Sequence, residues 1–386
     1  MRKLNVYKLV FWFILLLLVC LPLISFYSWH SQPMKKLNVL ILDKTVLNKD
    51  CQEHRSFNWV LDHFGYVKPD TSFYKPEEDY YGFFPLESPQ FDIRDFEPYS
   101  KLQIDSLAQA VDLLLYADSY GVYKNEWYEE GSINEYSGKV YGGLTHKDFL
   151  IAKAAAKNNK VLITEFNILA SPTSGRVRKE MEQLLGVRWT GWTGRYFDIL
   201  DTLANPELPR WMLNLYMEQH QEKWPFKESG IVLVHEDTRI EILDEMKDLT
   251  SPCPIIMTGD YGVGKYHVSE QLQYPFWFDI TLPTSDSVKV ISTYQINLTP
   301  SGEKLLSLLD LPSSFPAAME NLKGQNTYYF CGDFSDNPIP MWTRKFDGIR
   351  TVDFLFKEKQ DPSNRTLFFW EYYLPMVSAI MDQNFR

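Results

Sequence analysis

The apolar and polar positions divide this chain into two unequal parts. Residues 9–29 are apolar almost without a break and carry no charge, while Met1-Arg2-Lys3 and Lys8 stand before them. A run of that length suits an α-helix crossing a hydrocarbon core of roughly 30 Å. Phe11, Trp12, Phe26, Tyr27 and Trp29 lie near its ends, where interfacial aromatics belong. Beyond it, short apolar segments alternate with stretches of helical period. Leu37-Asn38-Val39-Leu40-Ile41-Leu42-Asp43 reads as the first strand of a buried parallel sheet. A helix follows, with Asp50 as N-cap, Glu53 completing a capping box, and Phe57, Val60, Leu61 and Phe64 on one face before Gly65.

Residues 68–100 show no period and are rich in aromatics, Pro and Asp, which predicts an irregular segment packed over the core. Strands are then predicted at 111–118, 161–165, 230–234, 254–258, 276–280, 288–293 and 327–331. Helices are predicted at 146–158, 176–185, 208–220 and 301–309, the last capped by Thr299 with Pro300 at its first position. Residues 369–381 carry a helical pattern that Pro375 should kink or split. The alternation predicts an α/β fold: a mostly parallel sheet flanked by helices, behind one N-terminal transmembrane helix. Between about 266 and 293 strands follow one another without helices, so an antiparallel edge or a small added lobe is expected there.

The boundaries expected are a cytoplasmic stub (1–8), a signal anchor (9–29), a short linker (30–36) and an extracytoplasmic α/β domain (37–386). The basic residues before the span favour a cytoplasmic N-terminus, and Lys35 and Lys36 weaken that bias without reversing it. A cleaved signal peptide is the competing reading. Against it, the apolar run exceeds the usual length and no Ala-x-Ala-like site follows. The membrane is thus the first partner implied. A net charge of -11 argues against nucleic acid, whose phosphates require a basic face. Cys51, Cys253 and Cys331 lie outside the span, widely spaced; they do not form a disulfide framework and match no zinc spacing.

Candidate chemistry gathers at strand ends. Open α/β sheets bind ligands beyond the carboxyl ends of their strands. Asp43, Asp118, Glu165, the pair Glu236-Asp237 and Asp333 each follow a predicted strand. If the strands are parallel and adjacent, these acids share one rim and can do acid/base work or hydrogen-bond sugar hydroxyls; otherwise each caps a local turn. Asp118 and Glu165 are the expected catalytic pair, with Asp43, His54, Arg195 and Asp333 as binding groups and neither metal nor cofactor. His54 and Arg55 could instead pair with Asp50 or Glu53. Trp189-Thr190-Gly191-Trp192-Thr193-Gly194-Arg195 either presents indoles to sugar rings, with Arg195 as anchor, or wedges them into the core. Residues 259–265 nearly spell a phosphate-binding loop, but Tyr266 stands where Ser or Thr is needed; a Gly-rich turn is the expectation.

Asp118-Ser119-Tyr120-Gly121 after a core strand, Glu165 after the next, and the helix end Leu184-Leu185-Gly186-Val187 together resemble the class I glutamine amidotransferase-like superfamily. The family's nucleophile is a Cys at the sharp turn after its third strand. Here that turn reads Glu165-Phe166-Asn167, so the resemblance implies a degenerate member without amidotransferase activity. Some members are accessory domains of carbohydrate-active proteins. The leading expectation is therefore a membrane-anchored domain that binds or processes cell-envelope glycan. A non-catalytic scaffold binding an envelope protein is the alternative. A type II glycosyltransferase is a second one, weakened by the lack of an Asp-x-Asp motif.

Overall fold

The computed structural model describes residues 2–128, 137–205, 207–221, 223–323, 326–355 and 365–385. The N-terminal helix α1 (Arg2–Ser31) contains a stretch, Val6–Ser31, long and apolar enough to cross a membrane, and its most apolar window is wholly unburied. β1 (Val39–Asp43) leads to α2 (Gln52–His63), then β2 (Tyr81–Pro85) and β3 (Phe91–Arg94). Next come α3 (Lys101–Ala110), β4 (Leu113–Tyr116), α4 (His146–Lys157), β5 (Val161–Thr164), α5 (Gly175–Leu185) and β6 (Val187–Phe197). After α6 (Arg210–Gln219) run β7 (Gly230–His235), β8 (Ile240–Asp244), β9 (Ile255–Thr258), α7 (Asp260–Tyr266), β10 (Gln271–Gln273) and β11 (Trp277–Pro283). β12 (Val288–Gln295), α8 (Pro300–Leu308), β13 (Ser314–Asn321), β14 (Thr327–Phe330) and α9 (Leu374–Phe385) complete the order.

Ten strands form the main sheet, in the order β10-β9-β12-β13-β14-β5-β4-β1-β2-β3. Only the block β14-β5-β4-β1-β2 is parallel. The sheet is therefore mixed, and the expectation of a mostly parallel one is corrected. The reason lies in the connections. The short turn between β13 and β14 permits only an antiparallel return, so direction alternates from there to β10. β6, β7, β8 and β11 make a second, antiparallel sheet of order β8-β7-β6-β11. With α6 it encloses its own small core of Phe197, Leu208, Met212, Val232 and Ile242. Of the strands between 266 and 293, only β11 joins this lobe, whose other strands lie earlier in the chain, while β10 and β12 belong to the antiparallel side of the main sheet.

Local chemistry explains most ends. Ser100 and Gln103 form a capping box at α3, as Thr145 and Asp148 do at α4. Gly186 closes α5 in the left-handed conformation. The box expected at α2 does not form. The Asn48 side chain takes the Asp50 amide, Cys51 turns left-handed at the cap, and no side chain caps the helix. Residues 68–100 hold β2 and β3, an aromatic-rich parallel strand and its antiparallel edge partner. Residues 259–265 are not an open turn but most of α7. Gly262 there packs so tightly that a Cβ would lie 2.5 Å from the Ile291 carbonyl oxygen, and Lys265 Nζ pairs with Glu320 at 2.6 Å. Pro375 does not break the C-terminal helix. A π-helical turn, Phe369–Tyr373, widens the chain just before it and relieves the clash.

Candidate functional site

The carboxyl edge of the parallel block gathers acids from four strands. Asp43 ends β1 and is fully buried. Its Oδ1 accepts from the Thr45 amide (3.0 Å), and its Oδ2 lies 2.6 Å from His54 Nδ1 on α2. His54 Nε2 is 3.0 Å from the Pro76 carbonyl and must donate to it. His54 thus bridges the Asp43 carboxyl group and the Pro76 carbonyl. Gly82 lets β2 press against this corner, since a Cβ there would sit 1.6 Å from the Asp43 carbonyl oxygen. Beside it, Lys44 is buried and pairs with Asp148 at 2.6 Å, while also donating to the Gly143 carbonyl at 3.1 Å.

Asp118 lies two residues beyond β4 and accepts the Tyr120 amide at 2.7 Å. Burial and the charge of Asp43 push it up to about 7, against the pull of that bond and those to Asn167 and Thr45. Glu165 follows β5. Its Oε2 accepts the amides of Phe334 (3.1 Å) and Ser335 (2.9 Å) and the Ser335 hydroxyl (2.8 Å), whereas Oε1 is buried without a partner. Burial, aided by the charge of Asp118, raises Glu165 to about 8 despite those three bonds. Asp333, beyond β14, is buried, and no side chain or amide hydrogen-bonds its carboxyl group among the described residues. Burial and the charges of Asp336, Asp118 and Glu165 hold it well above the usual carboxylate range.

Asp43, His54, Asp118, Glu165 and Asp333 are thus brought together. Glu53 joins them: freed from any capping duty, it is raised by burial and by Asp43, Asp336 and Asp118. Cys51 is near enough to be pushed up to about 12 by burial and by Asp43, so its thiol stays protonated and inert. The cysteines are all free, with Cys51, Cys253 and Cys331 buried. Among the described residues no three His, Cys, Asp or Glu side chains are arranged to hold a metal ion.

Glu236 and Asp237 do not join the rim. They sit in the turn between antiparallel β7 and β8, where Glu236 pairs with Arg178 (2.6 Å) and Asp237 with Arg239 (3.0 Å). Arg55 is structural: its guanidinium donates to the carbonyls of Ile339 and Asp50. Trp189 and Trp192 lie in the main core, so they present no ring to a ligand. Arg195, on the same strand, lines a hollow of about 340 Å³ with Phe197, Asn205, Phe276 and Arg365. The guanidiniums of Arg365 and Arg195 stand 3.6 and 4.8 Å from the Phe276 ring centre. Arg365 also pairs with Asp336 at 2.8 Å, which ties the hollow to the acidic rim. Ser335, Asp336 and Arg365 escaped the sequence reading, and Glu53 entered it only as a capping residue or an ion-pair partner. Only Asp336 had a usable signal, three residues after an acid already singled out.

No family model matches the chain, and no curated protein matches it. Four solved chains do match. One is the crystal structure of a ThuA-like protein from Bacteroides uniformis, with a TM-score of 0.42 and 9% identity, covering 92% of this chain and 95% of that one.

Proposed function

We propose that α1 anchors the protein in the cell membrane with its N-terminus in the cytoplasm. The domain then lies outside the cytoplasm and binds or processes cell-envelope glycan at the acidic rim. The observation that carries the reading is the state of Asp118 and Glu165, two buried carboxyl groups at one strand edge raised to about 7 and about 8. Near neutral pH such groups both donate and accept protons, which is what hydroxyl recognition and glycosidic acid/base chemistry require. Asp333 adds a carboxyl group with spare hydrogen-bonding capacity, and the hollow around Phe276 offers an aromatic face and two guanidiniums beside it. Asp43 and His54 hold the edge in place through the 2.6 Å contact between them. In this reading Glu165 stands where the amidotransferase-like family keeps its cysteine, and amidotransferase activity is absent.

One observation favours a non-catalytic, partner-binding role instead. Asp43 and Asp118 each accept the amide two residues on, and Glu165 accepts two amides from the β14 loop, so all three also have structural work. The full chain in lipid nanodiscs, tested for binding and hydrolysis over a panel of envelope glycans, separates the two. Binding that Asp118→Asn and Glu165→Gln weaken tenfold or more, with folding intact, supports the glycan site. Absence of binding to every glycan overturns it.

A further inference from the structure

We infer that residues 341–355 form a membrane-contact surface that seats the domain on an anionic bilayer. The inference rests on reading α1 as a membrane span. At 1.5 Å per residue, a core of roughly 30 Å takes about 20 residues. Counted from Leu9, where the uncharged run begins, that brings the helix to Ser28, so its last turn, from Ser25 onward, meets the headgroup boundary.

That turn holds residues 341–355 directly. The Ser25 hydroxyl donates to the Asp347 carbonyl and the Ser28 hydroxyl to the Asp347 carboxylate, both at 2.6 Å. The Asp347 amide returns a bond to the Ser25 carbonyl at 3.2 Å. Rings continue the contact outward: Phe26 meets Phe346 at 6.1 Å, and Phe346 meets Trp342 edge-on at 5.8 Å. Two short 3₁₀ turns, Met341–Lys345 and Ile349–Leu355, therefore lie at the level where the helix leaves the lipid.

What they expose there suits that level. Trp342 is 57% exposed and Phe354 64%, with Val352 between them. Val352 and Phe354, two residues apart, are closer in sequence than any other pair of exposed large apolar side chains outside α1 among the described residues. Lys345 and Arg350 are exposed on the same segment, and Lys35 and Lys36 just beyond α1. Even against Asp347 and Asp353 of the same segment, this is a local excess of cations in a chain of net charge -11. Aromatic rings with lysine and arginine are the composition that partitions to headgroups.

Depth measurement on the full chain tests this. In a Cys20→Ser background, whose remaining cysteines are buried, spin labels are placed by Trp342→Cys, Phe354→Cys and, as control, Leu203→Cys. Each is reconstituted in nanodiscs of phosphatidylcholine and phosphatidylglycerol. Labels at 342 and 354 should relax severalfold more with oxygen than with a water-soluble nickel chelate, and the label at 203 should do the reverse. Nickel access at 342 and 354 equal to that at 203 overturns the inference while leaving the anchor intact. Loss of the chain from membranes on alkaline washing overturns the anchor, and this inference with it.

Discussion

The edge of the parallel block and the β7–β8 turn begin from the same sequence signal, an apolar strand followed by acid, and end in opposite environments. In the block, neighbouring strands point the same way, so Asp43, Asp118, Glu165 and Asp333 leave their strands on one side and meet. Asp43 then raises the proton affinity of Asp118, and Asp118 that of Glu165 and Asp333. In the antiparallel lobe, successive strands end on opposite sides, so Glu236 and Asp237 stay apart from the rim and find basic partners, Arg178 for the first and His235 and Arg239 for the second. Strand direction, rather than the acid itself, decides whether a carboxylate becomes a frustrated buried group or an ordinary ion pair.

The sharpest contrast should come from charge removal. Lys44 is the buried cation of the block, enclosed with Asp148 and bonded at 2.6 Å. Lys44→Met strands the Asp148 carboxylate with only the Thr145 amide as a strong partner. Breaking a buried pair from one side costs about 3–5 kcal/mol. The thermal midpoint of the full chain should fall by many degrees, or the variant should fail to accumulate. A shift no larger than that of a surface variant would show that water reaches Lys44 and that the block is not sealed at this corner.

Much of this contrast was legible in the sequence. Strands β1, β4, β5 and β14 were readable as short apolar runs, and the acids at their ends were readable with them. Direction was not, because it depends on which strands pair and how the chain returns. Hence the parallel character was over-extended to the whole sheet, and Glu236-Asp237 was grouped with the rim. β2 was hidden by its aromatics and by Gly82, which breaks the apolar run yet is what allows the close approach to Asp43. Glu53 was misread as half of a capping box because the Asn48 side chain and a left-handed Cys51, neither with a periodic signature, move the helix start. Ser335 and Arg365 come from irregular chain, where patterning has little to say.

A second test uses pH. Glu165 rises from about 4.5 to about 8 on folding, so between those values the folded protein holds a proton that the unfolded chain has released. Its contribution to stability is present in full below pH 4.5 and is lost as pH rises through 8. Asp118 acts with the same sign between about 3.8 and about 7. Glu165→Gln mimics the protonated acid: its carbonyl oxygen keeps the bonds from Phe334 and Ser335, and its amide occupies the place of the unpartnered Oε1. The variant should equal the parent near pH 4.5 and exceed it by a few kcal/mol above pH 8. A parallel pair of stability–pH curves would mean that Glu165 is ionised at neutral pH.

The smallest effect belongs to the lobe, and its smallness is the informative part. Glu236 is 41% exposed, and its partner Arg178 keeps a second contact, 4.7 Å above the Trp189 ring. A pair of this kind contributes about 0–1 kcal/mol. Glu236→Gln should therefore change the thermal midpoint by no more than a few degrees. Its stability–pH curve should run parallel to the parent's between pH 5 and 8, where Glu165→Gln departs. On the proposed reading, glycan binding should be unaltered too, since the residue lies outside the rim. A bend in the Glu236→Gln curve within that window would mean that the lobe feels the field of the block. The two regions, separate in strand direction, would then be coupled electrostatically.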